Sequence, residues 1–319
     1  MRLLSPTDVR GLLAAHDLRP SRALGQNFLA DPNTARRIVR LAGVAPGVRV
    51  LEIGPGIGSL TVALAEAVGP TGEILALELD RHLLPVLAEV VSDQPHVRVV
   101  QGDAMTVDYR TLLGAGAAAP SWTMVSNLPY NVATPLMARL LDEVPAIGVL
   151  SVMVQKEVAE RLAAPPGTPA CGAISVKVAY HARAAVVGVV PPTVFVPRPK
   201  VDSAVVRFER RSSPPVEVPS ADALFTLARA GFGQRRKTLR QSLRPVLGPR
   251  AEEVLAAAGI PSLTRAEALT LDQWAALTRA ADPLPGPPAP SGSPASSGPA
   301  ASSGPPGDAG LPGPAGGAS

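Results

Sequence analysis

The sequence predicts an α/β fold in which a largely parallel sheet carries helices on both faces. Two observations support this prediction: short apolar runs alternate with helical segments from Val48 onward, and a glycine-rich turn follows the first of those runs. Such alternation is typical of parallel sheets, whose crossover helices cover both faces. With 319 residues, 46% of them hydrophobic, the chain is long enough for one substantial core and a smaller second domain.

The predicted elements follow one another in a regular order. A helical lead-in and a loop fill residues 1–30, and Asp31 and Pro32 are expected to be the N-cap and first residue of the next helix. The strands predicted for the parallel sheet are 49–53, 73–78, 97–101, 122–126 and 149–154, with helices at 60–67 and 81–91. Later strand-like runs are 173–180, 184–190 and 201–210.

Composition divides the chain into three predicted parts. The sheet domain is expected at 1–211, and a small α-helical domain at 212–282 follows a Pro/Ser-rich linker. The helices of that domain are predicted near 222–231, 235–246, 250–258 and 265–280. The tail, 283–319, has 11 prolines, one charged residue and no aromatic residue. Because it can bury too little apolar surface to offset the entropy of ordering, it is predicted to be disordered.

Charge and cysteine usage narrow the class of protein. The net charge is +4, but the stretch from Arg229 to Arg250 holds seven basic residues and no acidic one, which suggests a polyanionic partner. The single cysteine, Cys171, excludes an intramolecular disulfide, and no uncharged apolar run is long enough for a membrane span. We therefore expect a cytoplasmic protein without a membrane partner, and no histidine or cysteine spacing suggests a metal site.

The glycine turn and two acids predict a binding site at the edge of the sheet. Gly54 and Gly56 follow the first strand, where open α/β sheets bind ligands. Ser59 stands where a dinucleotide fingerprint has its last glycine, and a methyl donor has no pyrophosphate that would require one. Glu78 ends the second strand and could accept hydrogen bonds from ribose hydroxyls, while Asp103 after the third could bind an adenine amino group. We therefore predict S-adenosylmethionine in a Rossmann-like class I methyltransferase sheet.

The acceptor site is predicted at Asn127-Leu128-Pro129-Tyr130, after the fourth strand. An exocyclic adenine amine is a poor nucleophile because its lone pair is delocalised into the ring. The Asn127 side-chain oxygen and the Leu128 carbonyl could accept its two protons in hydrogen bonds, with Pro129 fixing the turn. Tyr130 could stack on the base, which contributes roughly 1–3 kcal/mol, and Phe195 is the candidate for a second wall. Alignment of the amine with the methyl group would replace an ionised general base.

Several segments together resemble the rRNA adenine N6,N6-dimethyltransferases. They are 24–29, 52–58, 102–104 and 127–131. Segments 155–159, 197–203 and 235–240 are similar to its bacterial small-subunit branch, the KsgA family. The resemblance covers roughly residues 18–280, whereas the tail lies outside the family pattern and Gln241 stands where the family leads us to expect asparagine.

The resemblance implies that two adjacent adenosines near the 3′ end of 16S rRNA are each dimethylated late in small-subunit assembly. It implies donor contacts from Asn27, Leu29, Gly54, Glu78, Asp103 and Asn127. It also implies that the helical domain docks the enzyme on the ribosomal subunit, and a monomer is the default expectation. The residues predicted to contact RNA phosphates are Arg235, Arg236, Lys237 and Arg240, on one or two adjacent faces of a helix, together with Arg161 and Lys200.

Three alternatives remain open at this point. A related large-subunit rRNA adenine methyltransferase, of the kind that confers macrolide resistance, shares the donor and acceptor motifs. A DNA or protein amide N-methyltransferase commonly has an Asn-Pro-Pro-Tyr turn but lacks the N-terminal Gln26-Asn27-Phe28 segment. The third is an RNA-binding assembly or transcription factor that no longer methylates, and the intact Gly54 and Asn127 argue against it.

Overall fold

The computed structural model describes residues 3–21, 24–114, 121–129, 132–234 and 236–284. They belong to one compact unit that ends at Leu284, so almost all of the predicted tail lies outside the described residues. The strands found there are β1 (Phe28–Leu29), β2 (Arg49–Ile53), β3 (Glu73–Glu78), β4 (Val97–Gln101), β5 (Trp122–Asn127), β6 (Ile147–Gln155), β7 (Ala182–Val190), β8 (Phe195–Val196) and β9 (Ser203–Arg210).

Thirteen α-helices lie in the described parts of the chain. They are α1 (Pro6–Ala15), α2 (Pro32–Ala42), α3 (Ser59–Val68), α4 (Leu84–Val90), α5 (Tyr109–Leu113), α6 (Ala133–Glu143), α7 (Lys156–Ala163), α8 (Ala173–His181), α9 (Ala221–Gly233), α10 (Leu239–Ser242), α11 (Arg244–Leu247), α12 (Ala251–Ala257) and α13 (Leu271–Ala280). The predicted start of α2 is confirmed, because the Asp31 side chain accepts a hydrogen bond from Thr34 N at 2.8 Å.

Seven of the described strands form one sheet in the order β4-β3-β2-β5-β6-β9-β7. The five strands from β4 to β6 pair in parallel, whereas β9 runs antiparallel to both β6 and β7. The chain moves outward from β2 to β4 and then returns to place β5 on the other side of β2. That reversal opens a crevice at the carboxyl ends of β2 and β5, which is where open α/β sheets bind ligands.

Helices cover both faces of the sheet, as predicted. Neighbouring residues of β2 point to opposite sides, so Leu51 is buried in a core with α6 and Val50 in a core with α2 and α3. A separate two-stranded ribbon pairs β1 with β8 and brings the lead-in segment to the edge of the crevice.

The prediction of a strand at 173–180 is wrong, because these residues form α8. Its side chains enter two cores: Val178 packs into the core beside the sheet, and Val176 and Tyr180 pack among the C-terminal helices. Ser175 and Lys177 alternate with apolar residues along 174–178, which is the period of a strand. Both are nevertheless buried in the helix, Lys177 beside Asp142, so the polar positions do not mark a solvent-exposed face.

The predicted helix at 235–246 is also wrong in its extent. Lys237 N donates to the Gln234 carbonyl at 2.8 Å in a turn, and α10 begins only at Leu239. Pro245 then stands in the first turn of α11, where its missing N–H is tolerated, and separates that helix from α10. Arg236 and Lys237 therefore lie in the turn before the helix and do not share a helical face with Arg240.

The C-terminal helices pack around Trp274, which is fully buried. A Cβ added at Gly231 would lie 2.8 Å from the Trp274 ring, so α9 approaches α13 closely at that point. The same core contains the buried Cys171 and residues of α8. A domain boundary between residues 211 and 212 therefore stays a prediction. Among the described helices, none is long and apolar enough to cross a membrane.

Candidate active site

The cleft at the carboxyl ends of β2 to β5 has an empty volume of about 1130 Å³, open solvent included. Of the predicted donor-site residues, it is lined by Asn27, Leu29, Gly54, Gly56, Glu78 and Asp103. Asn127, Leu128 and Pro129 of the predicted acceptor turn line the same cleft. The residues from Gly54 to Pro129 meet at one site because parallel strands end at the same edge of the sheet, whereas Asn27 and Leu29 reach it from the lead-in segment.

The glycine turn between β2 and α3 has a backbone that only glycine adopts readily. Gly54, Gly56 and Gly58 have φ angles of 68°, 62° and 91°, which are strained for residues with a Cβ. Gly54 N also donates to the Leu77 carbonyl at 2.9 Å. A Cβ on Gly56 would lie 3.1 Å from the ring of Phe28. The turn therefore leaves its backbone open to a ligand and packs closely against the lead-in segment.

The carboxylate of Glu78 connects the ends of β2 and β3. Its Oε2 accepts a hydrogen bond from Gly56 N at 2.9 Å, and its Oε1 accepts one from Asp80 N at 2.8 Å. Burial raises the pKa of Glu78, while these backbone hydrogen bonds act in the opposite direction. Each oxygen has a further lone pair that a ligand hydroxyl could use.

Glu52 is a second buried acid in the wall of the cleft, and the sequence analysis assigned it no role. Its side chain is 1% exposed, and Oε2 has no hydrogen-bond partner among the described residues. Burial, with a smaller contribution from the charge of Glu78, raises the pKa of Glu52 to about 8. The available signal was an acidic residue next to the last position of a buried strand, because ionisable residues are rarely fully buried without a partner, and those with a perturbed pKa in a cleft are candidates for a function.

The acceptor turn is held from both sides. Leu128 N donates to the Met153 carbonyl of β6 at 3.1 Å, and the Asn127 side chain donates through Nδ2 to the Asn27 carbonyl at 3.2 Å. Pro129 has no N–H and therefore adds no competing donor. Tyr130 lies outside the described residues.

Asp103 stands in the turn after β4, where its Oδ1 accepts a hydrogen bond from Met105 N at 2.8 Å. Its carboxylate is half-buried at the edge of the cleft. Together with Glu78, it supplies acceptor oxygens at the ends of two neighbouring strands.

The lead-in segment contributes a residue whose individual role the sequence analysis missed. Gln26 lines the cleft, and its Nε2 donates to Asp80 Oδ2 at 2.9 Å. Its Oε1 accepts from Ser21 N at 2.8 Å. The motif around Gln26 was visible in the sequence, but a contact between residues 54 positions apart was not.

Phe195, the predicted second wall of the acceptor site, is a buried residue, and its contact with a base stays a prediction. Its side chain is 3% exposed and packs in the core that also contains Leu29, its partner in the ribbon of β1 and β8. It is not among the described residues that line the cleft. The ring packs inward because it is apolar and lies on a short paired strand.

The described members of the predicted RNA-contacting set are not among the residues that line the cleft. Arg161 pairs with Glu157 at 2.7 Å, and Arg240 pairs with Glu252 at 3.6 Å. Lys200, Arg236 and Lys237 are exposed, and Arg235 lies outside the described residues. In the described ranges, no cluster of three or more His, Cys, Asp or Glu side chains could hold a metal ion.

Comparison with known proteins decides which family this site belongs to. The sequence model of a family described as ribosomal RNA adenine dimethylase matches residues 18–282, which is most of the chain. The chain belongs to the ribosomal RNA adenine dimethylase family. It is therefore an rRNA adenine dimethyltransferase, and the methyl donor of this family is S-adenosylmethionine.

Relatives in the family match over nearly their whole length. A protein of Pelotomaculum thermopropionicum named Ribosomal RNA small subunit methyltransferase A is 44% identical over 283 residues, which cover 86% of this chain and 95% of the relative. A protein of the same name from Streptomyces avermitilis is 43% identical over 289 residues, with coverage of 88% and 95%.

Two solved structures share the fold. The 23S rRNA methyltransferase ErmE matches with a TM-score of 0.59 at 28% identity, and the match covers 80% of this chain and 99% of the ErmE chain. A dimethyladenosine transferase from Plasmodium falciparum matches with a TM-score of 0.64 at 23% identity, and the match covers 78% of this chain and 95% of the transferase.

The cleft suits the donor of this family. S-adenosylmethionine presents an adenine, ribose hydroxyls and a positively charged methionine portion. The cleft offers a glycine turn without side chains, two acids at strand ends and the buried Oε2 of Glu52. Acceptor oxygens at these positions match the hydrogen-bond donors of the ligand.

Substitution of Gly56 by alanine should weaken donor binding by about tenfold or more, because the new Cβ meets the Phe28 ring and the positive φ costs roughly 1–2 kcal/mol. Equilibrium dialysis with labelled S-adenosylmethionine measures the effect. Gly43→Ala is the matched control: its φ is 70°, but the nearest atom to its added Cβ is 3.7 Å away on Arg207. Equal donor affinity in the parent and Gly56→Ala would contradict the turn's role.

Glu52 should make the parent's stability fall as pH rises. The unfolded chain releases the Glu52 proton near the ordinary pKa of 4.5, whereas the folded chain keeps it up to about 8, so stability is lost across that window. The free energy of unfolding of Glu52→Gln minus that of the parent should therefore rise by roughly 1–4 kcal/mol from pH 5 to pH 8. Urea unfolding at both pH values tests this, with Glu253→Gln at an exposed site as control. Parallel pH dependence in the parent and Glu52→Gln would refute it.

Proposed function

We propose that this chain dimethylates the N6 amino groups of two adjacent adenosines near the 3′ end of 16S rRNA, late in small-subunit assembly. The observation that carries the proposal is the position of the Asn127–Pro129 turn on the same cleft as the glycine turn and Glu78. The relatives' printed name, Ribosomal RNA small subunit methyltransferase A, supports small-subunit rRNA as the partner.

The donor would be held at the ends of β2, β3 and β4. We assign the ribose hydroxyls to Glu78, whose oxygens have lone pairs beyond those used by Gly56 and Asp80. Asp103 would accept from the adenine amino group. The backbone around Gly54 and Gly56 would approach the ligand closely, as would the main chain at Asn27 and Leu29. Asn127 would face both the donor and the acceptor.

The acceptor amine would be held by Asn127 Oδ1 and the Leu128 carbonyl. Bound S-adenosylmethionine supplies an electrophilic methyl group on a positively charged sulfur. Two accepted hydrogen bonds pull the amine toward tetrahedral geometry and free its lone pair, so that alignment replaces a general base. Tyr130 would stack on the flipped adenine. Phe195, which is buried beside Leu29, stays the candidate for the second wall.

The exposed basic residues would bind the rRNA backbone. Arg236 and Lys237 lie in an exposed turn before α10, and we assign Arg235, which precedes them in the sequence, to the same role. Arg161, Lys200 and Arg240 would add further phosphate contacts. Lys200 is exposed, while Arg161 and Arg240 each pair with a glutamate across the surface, and such exposed pairs exchange readily for phosphate. We propose a monomer that docks through its C-terminal helices.

A large-subunit target is the second candidate, because ErmE shares the fold at 28% identity. The higher identity of the small-subunit relatives, 43–44%, favours the first. Labelled S-adenosylmethionine, undermethylated small subunits and large-subunit RNA separate the two once the modified bases are mapped. Dimethyladenosine at two adjacent small-subunit positions is the expected result. Label in large-subunit RNA alone, or none with donor still bound, would overturn the proposal.

Asn127→Ala should reduce methyl transfer by at least about a hundredfold, because the amine loses one of its two acceptors and its alignment. Binding to small subunits should survive, since base contacts contribute less than phosphate contacts. Single-turnover transfer and subunit binding are measured on the same preparation. Thr123→Ala, a half-buried site at the start of β5, is the control for a substitution on that strand. Turnover equal to the parent's would remove Asn127 from the acceptor site.

Arg236→Glu combined with Lys237→Glu should weaken subunit binding by roughly 10–100-fold at low salt. The slope of the logarithm of the binding constant against the logarithm of the salt concentration should become shallower by about one to two. Filter binding over a salt series gives both quantities. The matched control is Arg98→Glu with Arg110→Glu, an equal charge change at the exposed β4 side of the sheet. An unchanged slope, or the same loss in the control pair, would exclude Arg236 and Lys237 from the RNA surface.

A further inference from the structure

The lead-in segment contacts the acceptor turn directly, through the main chain at Asn27. The Asn27 carbonyl faces the Asn127 carboxamide, and the Nδ2 to oxygen distance is 3.2 Å. A backbone carbonyl can only accept a hydrogen bond, so the amide nitrogen must point toward it. The Asn127 Oδ1 is consequently at the opposite end of the carboxamide. That end is the one the proposed function needs, because the target amine has only N–H groups to offer Oδ1.

We propose that Gln26 is a positioning residue for methyl transfer: its side chain fixes the Asn27 carbonyl, and that carbonyl orients Asn127 so that Oδ1 faces the target amine. The proposal rests on the proposed function of Asn127. Gln26 itself touches neither the amine nor the methyl group in this scheme and acts through its neighbour.

Gln26 is suited to this task because both ends of its carboxamide are engaged. Nε2 donates to Asp80 Oδ2 at 2.9 Å, and Oε1 accepts from Ser21 N at 2.8 Å. Its own backbone N donates to the Ser21 carbonyl at 3.1 Å. The residue immediately before Asn27 is thereby tied both to the turn after β3 and to its own loop.

The anchor on the far side, Asp80, is also held in place. Its Oδ1 accepts from His82 N at 3.0 Å, and its backbone N donates to Glu78 Oε1 at 2.8 Å. Glu78 in turn accepts from Gly56 N at 2.9 Å. Hydrogen bonds therefore connect the proposed donor site with Asp80 and Gln26. The next residue, Asn27, then contacts Asn127 through its carbonyl.

Loss of this orientation has a specific chemical consequence. If the Asn127 carboxamide turned over, its NH₂ group would face the target amine, and two donors would oppose each other. The amine would lose an acceptor while the donor cleft remained intact. The expected effect is on turnover at saturating donor, because misplacement of a reacting group by about 1 Å can cost on the order of a hundredfold.

A reciprocal exchange of the two side chains tests the contact. Gln26→Glu keeps an acceptor for Ser21 N but sets a carboxylate oxygen against Asp80 Oδ2. Gln26→Glu with Asp80→Asn reverses the pair, because the introduced asparagine can keep its Oδ1 for His82 N and donate through Nδ2 to the introduced glutamate. The formal charge of the pair is then the same as in the parent. Asp80→Asn alone completes the double-mutant cycle.

Two measurements follow the variants. Turnover on undermethylated small subunits at saturating S-adenosylmethionine should fall roughly 10–100-fold in Gln26→Glu and recover to within about threefold in the double variant. The Asn127 side-chain NH₂ signal, assigned by its absence in Asn127→Ala, should exchange faster with solvent in Gln26→Glu and slow again in the double variant. The second measurement needs neither donor nor RNA. It therefore tests the positioning even if the parent fails to methylate small subunits, which would instead count against the proposed function.

Some results would overturn the inference. One is a loss confined to donor affinity, with turnover at saturating donor retained, since Gln26 would then only build the donor cleft. Another is a double variant as slow as Gln26→Glu, or an Asn127 amide signal that is the same in all variants. Should Gln26→Glu fail to fold, Gln26→Met replaces it in both measurements, because it has similar length and makes neither side-chain hydrogen bond.

Discussion

The carboxylate of Glu78 accepts hydrogen bonds from the backbone N–H groups of Gly56 and Asp80, and the geometry of the active site depends on this pair of contacts. Gly56 belongs to the turn after β2 and Asp80 to the turn after β3, so one buried acid connects the turns that follow two paired strands. Burying a carboxylate is costly, and hydrogen bonds to it offset part of that cost. The raised pKa of Glu78 shows that burial still has the larger effect.

The rest of the site is built outward from that connection. Asp80 accepts a hydrogen bond from Gln26, which belongs to the segment that runs into β1. The Asn27 carbonyl accepts one from the side chain of Asn127 at the end of β5. The residues proposed to hold donor and acceptor are thus joined by hydrogen bonds to a segment outside the seven-stranded sheet. This explains how a fold used for many transfer reactions can hold a particular acceptor: the loops at the sheet edge define the chemistry.

The helix α8 connects the sheet core with the core of the C-terminal helices. Lys177 pairs with Asp142 of α6 and lies 4.2 Å from the centre of the Phe225 ring of α9. Its neighbours enter both the sheet core and the core of the C-terminal helices. The C-terminal helices therefore share packing with the catalytic part through α8. That arrangement gives the proposed docking surface a defined position relative to the sheet.

The sequence by itself determined the order of strands and helices through most of the sheet, the glycine turn, the acid at the end of β3 and the N-cap Asp31, because each depends on residues close together in the chain. The sequence motifs also identified the family. Only the tertiary structure decided that 173–180 is a helix, that Phe195 is a core residue and that Gln26 reaches Asp80. Apolar residues read alike in strands and buried helices, and the direction of a side chain depends on partners that are distant in sequence. Local pattern predicts which elements form, whereas packing decides what each side chain touches.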